Sequence, residues 1–84
     1  MSADDARSAI CSRVALILKT ERLNKGLSMT VLSERAGLSQ QSISYVERGM
    51  RVPNLDTLLR ITEVLNIDLE TVIAEARKEA RSKK

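Results

Sequence analysis

Eighty-four residues leave room for one modest core, not for a binding domain plus a separate sensing module. Hydrophobic residues make up 43% of the chain, yet Tyr45 is its one aromatic, so the core must be packed from Leu, Ile, Val and Ala, which favours an all-α fold. With no histidine and a single cysteine, Cys11, the chain has no internal disulfide and no plausible structural zinc site.

The net charge of +3 points to a polyanionic partner until it is placed along the chain. From residue 77 to 84 there are five basic residues (Arg77, Lys78, Arg81, Lys83, Lys84) and Glu79, a local +4 that leaves −1 for residues 1–76. Any argument for DNA binding must therefore rest on local clustering and motif. The longest apolar run, Val14 to Leu18, is far too short to cross a bilayer, and no signal-peptide pattern precedes it. A soluble, cytoplasmic protein is expected, a single domain over residues 1–84 with no cofactor.

Taken in chain order, the first element is a helix opened by a cap at Asp4 or Asp5 and closed near Asn24, with Gly26 as its stop. Its inward face reads Cys11, Val14, Ala15, Leu18 and Arg22, which makes Cys11 a small buried hydrophobe and leaves Leu16 in solvent. Ser28 caps a second helix that turns Val31, Leu32 and Ala36 inward, and Gly37 ends it, since glycine alone takes a positive φ without a steric penalty. Leu38 is a buried plug. Ser39 caps a third helix with Ile43 and Val46 inward and Gln40, Gln41, Ser44 and Tyr45 outward. The only proline, Pro53, marks residues 50–54 as a loop. A fourth helix follows from a cap at Asn54 to a stop at Asn66, with Leu55, Leu58, Leu59, Thr62 and Leu65 as its inward stripe. Asp68 caps a fifth helix carrying Leu69, Val72, Ile73 and Ala76 on one side, expected to fray beyond Glu79 in a charged tail over about 77–84.

Two short helices about a single glycine, over about 28–48, form a helix-turn-helix pattern. An outward face of two glutamines, a serine and a tyrosine beside arginines has the chemistry to read base edges in a DNA major groove. The segment resembles the Cro/CI (Xre) family of phage-repressor-like regulators through Arg22, Gly26, Leu27, Ser28, Ala36, Gly37, Leu38, Ser39, Ile43, Glu47, Arg48 and Gly49. The match continues through Pro53, Leu55, Leu58, Leu59, Ile61, Leu65 and Ile67. Stand-alone members of this size resemble restriction-modification controllers, plasmid or phage repressors, and antitoxins.

The resemblance implies a homodimeric regulator of transcription, a repressor or autoregulator, that binds a palindromic operator in double-stranded DNA. Gln40 and Gln41 open the helix that such proteins push deepest into the groove, so they lead the base contacts, with Ser44 and Tyr45 one turn on. Phosphates fall to Lys25, Arg48 and Arg51, to the hydroxyls of Ser28, Thr30 and Ser42, and to the helix starts after Ser28 and Asn54. Relatives often carry glutamine where this chain has Met29, and methionine makes no comparable hydrogen bond, which weakens one phosphate clamp. Arg22 and Glu47 are implied to pair as a structural tie. Leu16, Leu69, Val72, Ile73 and Ala76 offer more apolar surface than one small domain needs. The last four make a dimer interface in the region where the resemblance places it. The alternative is a protein-interaction adaptor or antitoxin on the same fold. No histidine, no phosphate-binding glycine loop and no paired carboxylates speak for an enzyme.

Overall fold

The computed structural model of the chain describes residues 3–50 and 52–82; Arg51, expected to hold a phosphate, lies outside the described residues. Among them are five helices: α1 (Ala3–Asn24), α2 (Met29–Ala36), α3 (Gln40–Glu47), α4 (Leu55–Leu65) and α5 (Leu69–Ser82). No strand occurs among the described residues.

Helix boundaries follow from short-range chemistry. Ser28, Ser39 and Asn54 sit at extended φ/ψ, and their side-chain oxygens accept from the N–H groups of Val31, Ser42 and Thr57. Each contact satisfies a donor that the first helical turn cannot, worth about 1 kcal/mol. At the other end of α2, Gly37 has φ 70° and ψ 33°, and the N–H of Leu38 returns to the Ser33 carbonyl at 2.9 Å. Asn66, at φ 58°, closes α4 the same way, with Ile67 N–H donating to the Thr62 carbonyl at 3.1 Å.

α1 lies along α5, α2 packs on α3, and α4 backs α2. Their shared core is Leu18, Leu32, Ile43, Val46, Ile61, Leu65 and Val72, so every helix contributes at least one side chain to it. Burying such a side chain stabilises by roughly 1.5 to 3 kcal/mol. Leu38 and Met29 pack half-buried against that cluster. Arg60 of α4 ties down the turn: its Nη1 donates to the Ala36 carbonyl at 3.3 Å, while its Nε bonds Asp56 at 2.7 Å. The Asp56 carboxylate raises the Arg60 pKa above its ordinary value, first through that hydrogen bond and then through its charge.

Four expectations need correction. Asp4 and Asp5 fall inside α1 and do not precede it. Cys11 is exposed, whereas Ala15, Leu18 and Arg22 are buried. Cys11 and Ala15 line an open pocket with Val46 of α3 and with Gly49, Val52 and Pro53 of the α3–α4 loop, so the face continuing from Ala15 is left open. On α4 the buried side is Ile61, Thr62 and Leu65, while Leu55 and Leu59 are 63% and 41% exposed. Leu69, Val72 and Ala76 are buried within the protomer, at 7%, 3% and 0% exposure, because α1 covers them. Of the four residues expected at a dimer face, only Ile73 keeps partial exposure. Leu16, at 48%, does stand in solvent.

Candidate nucleic-acid interface

α3 is held at an angle to α2 by a three-residue joint: Gly37 turns the chain, Leu38 anchors it, and Ser39 starts the next helix. Ile43 and Val46 pin the inner side of α3 at 1% and 6% exposure. The opposite side is polar, and its hydrogen bonds fix where each side chain points. Gln40 is exposed, and its Oε1 accepts from the Thr30 hydroxyl at 3.2 Å. The Gln40 amide N–H groups therefore remain to donate outward. Gln41 Nε2 donates to the Tyr45 hydroxyl at 2.8 Å, one turn along the same helix, which joins two of the expected base contacts into one unit.

Ser44 is committed locally, since its Oγ accepts from Arg48 Nε at 3.1 Å and Arg48 lies back along α3. The Ser42 hydroxyl accepts from that of Ser39 at 2.8 Å. Asn54 uses its Oδ1 to cap α4, which leaves its amide N–H groups and the first N–H groups of α4 able to bind an anion. Ser28 caps α2 with its Oγ, and Lys25 is exposed just before it.

Gln41, Ser42 and Tyr45 come together with Pro53, Asn54 and Thr57 around one open groove, so base-reading and phosphate-holding candidates share a surface. The Thr30 contact with Gln40 has no signature in the sequence: two exposed residues ten apart meet only because the turn brings the start of α2 against the start of α3.

Beneath this surface Arg22 and Glu47 form a two-pronged pair. Arg22 Nε donates to Glu47 Oε2 at 2.6 Å and Nη2 to Oε1 at 3.0 Å, while Nη1 donates to the Leu27 carbonyl at 2.8 Å. The side chains are 8% and 3% exposed. This lock ties the last turn of α1 to the end of α3 and to the turn before α2.

A capped helix, a tight glycine joint and a second short helix presenting a polar outer row make a helix-turn-helix. Residues 18–72 match the helix-turn-helix family. An uncharacterised HTH-type transcriptional regulator of Sinorhizobium fredii is 35% identical over 63 residues, 75% of this chain and 77% of that protein. One from Mycobacterium tuberculosis is 36% identical over 59 residues, 70% of this chain but only 42% of that protein. SinR, an HTH-type transcriptional regulator of Bacillus subtilis, is 30% identical over 59 residues, 69% of this chain and 53% of that protein. A crystallised variant of the restriction-modification controller protein C.Esp1396I superposes with a TM-score of 0.78 at 25% identity, covering 89% of this chain and 97% of that one. The chain belongs to the helix-turn-helix family of Cro/CI type, whose members here are regulators of transcription and not enzymes. No helix among the described residues is long and apolar enough to cross a membrane.

Proposed function

We propose that the protein is a cytoplasmic, sequence-specific regulator of transcription that binds double-stranded DNA as a homodimer at a palindromic operator, with repression or autoregulation as its mode. The observation that carries this reading is the row along α3, where Gln40 and Gln41 stand exposed, Gln41 bonded to the half-buried Tyr45, over a buried backing of Ile43 and Val46. A glutamine amide can bind N6 and N7 of adenine together, and a good pair discriminates by roughly 1 to 3 kcal/mol.

Gln40 and Gln41 read bases, with Tyr45 steering Gln41. Lys25, Arg48 and Arg51, the hydroxyls of Ser28, Thr30 and Ser42, and the α4 start at Asn54 bear on the backbone. The Thr30 hydroxyl has a second duty, orienting Gln40. Two recognition helices about 34 Å apart would enter successive major grooves on one face of the duplex. Selection of bound duplexes from a random pool tests the reading: it predicts two inverted half-sites about one helical turn apart. Recovery of no preferred sequence at low salt would overturn it, and would favour the adaptor or antitoxin.

A further inference from the structure

Between α1 and the α3–α4 loop lies an open cavity of about 520 Å³, within the roughly 300 to 1,000 Å³ of small-molecule sites. We propose that it binds a small amphipathic carboxylate, a molecule with an aliphatic body and one anionic end, and that this ligand and DNA bind cooperatively. The site stands on the cavity alone, whereas the cooperation rests on the DNA-binding reading above.

The lining selects the ligand. One wall is the apolar stripe of α1, Cys11, Val14 and Ala15, which helical period marks as inward although Cys11 is exposed. Val46 of α3 and Val52 and Pro53 of the loop form the wall opposite. Tyr45, the chain's one aromatic, lines the groove beside Gln41 instead, so the cavity suits a flexible alkyl body and not a stacked ring. Toward the start of α1 the lining turns polar, with Arg7, Ser8 and Ser12. An arginine presents its N–H donors in a planar fork that matches a carboxylate, and serine hydroxyls can donate beside it. No acidic side chain lines the cavity among the described residues, so a cationic end would find Arg7 and no partner.

Position joins this site to DNA. Val46, Val52 and Pro53 line both the cavity and the groove that holds Gln41, Ser42 and Tyr45, so one layer of side chains separates the two. Pro53 leads directly into Asn54, which caps α4 at the end proposed to hold a phosphate. A ligand in the cavity backs the loop from behind and holds it where it lines the groove, and order established before DNA arrives favours DNA binding. Linkage makes the effect mutual: DNA tightens the ligand by the same factor. The α1 side of the cavity, from Arg7 to Ala15, precedes residues 18–72 and so lies outside the segment that matches the family. A chain too short for a separate sensing module needs none if the sensor shares a wall with the reader.

Octanoate, octanol and octylamine, which share one alkyl body, test the site when titrated into the free full chain and followed by amide chemical shifts. Octanoate is expected to shift Ser8, Cys11, Ser12 and Val52 and to bind roughly tenfold tighter than octanol, the gain of one charge-assisted hydrogen bond, with octylamine weakest. Arg7→Gln is expected to erase the advantage over octanol. Cys11→Trp fills the cavity from an exposed position and is expected to abolish binding of both with helical circular dichroism unchanged. Saturating octanoate is then expected to tighten operator binding about five-fold or more in the unaltered chain and not in Cys11→Trp. Equal binding of the three compounds, or shifts confined to the basic end of α5, overturns the carboxylate site. Shifts of the cavity amides on concentrating the chain alone assign the cavity to a second copy and overturn it too. Octanoate that binds here while operator affinity holds overturns the cooperation and leaves the DNA reading intact. A chain that selects no duplex with or without octanoate overturns that reading and leaves the site standing.

Discussion

Arg22 lies at 6% exposure with its guanidinium on the Glu47 carboxylate and the Leu27 carbonyl. Removing one partner of such a pair strands the other charge. Arg22→Ala or Glu47→Ala is therefore expected to cost roughly 3 to 5 kcal/mol, seen as a lower urea midpoint. Replacing the two together, as Arg22→Met with Glu47→Leu, is expected to cost far less, since no charge is left unpaired. Gln40→Ala is a different kind of loss: stability holds, and discrimination at one base pair falls by roughly 1 to 3 kcal/mol when single-base operator variants are compared. Thr30→Val removes the hydroxyl from both its duties: loss of the backbone contact weakens all sequences alike, and loss of the bond that steadies Gln40 is expected to reduce that discrimination by about 1 kcal/mol, at the same base pair. An effect at a different base pair would show that Thr30 does not act through Gln40.

At the scale of elements, the turn between α2 and α3 decides where the polar outer row of α3 points. A Cβ on Gly37 would stand 3.0 Å from Arg60 Nη1 and would hold a left-handed backbone conformation that alanine resists. Gly37→Ala is expected to cost about 1 to 2 kcal/mol from the backbone alone, with further loss if Arg60 is pushed off the Ala36 carbonyl. Thermal unfolding measures the first effect and operator affinity the displacement of α3. The caps at Ser28, Ser39 and Asn54 and the stops at Gly37 and Asn66 were all legible in the sequence, because each depends on residues within four positions of it. The faces of α1 and α4 were legible only in part. Helical period marks a stripe, but whether Cys11, Leu55 or Leu59 on that stripe is covered depends on which other helix reaches it.

Across the whole molecule, the positive excess and the row proposed to meet DNA lie on different helices. The positive excess lies at the end of α5, where Arg77, Lys78 and Arg81 are exposed, and α5 runs beside α1 with Arg13 and Glu79 3.9 Å apart. Neutralising Arg77, Lys78 and Arg81 together is expected to slow association with DNA at low salt and leave base preference unchanged, since a distant field steers without reading. Lys25→Ala is expected to act otherwise: it weakens all sequences alike and lowers the slope of log K against log salt by about 0.9, the effect of one phosphate contact. A shift in base preference in the Lys25 variant would count against its assignment to the backbone.

The sequence by itself determined the helix count, the capped starts of α2, α3 and α4, the glycine joint and the polar outer row of α3, since all follow from local hydrogen bonding and a 3.6-residue period. It also carried the resemblance that implied the Arg22–Glu47 pair. Only the tertiary structure decided that Thr30 holds Gln40, that Cys11 is open, that α5 spends Leu69, Val72 and Ala76 on α1, and that α4 keeps two leucines outside. Each of these depends on contacts between elements distant in the chain. Such contacts are set by how five small helices share one aliphatic core, and no local pattern records that division.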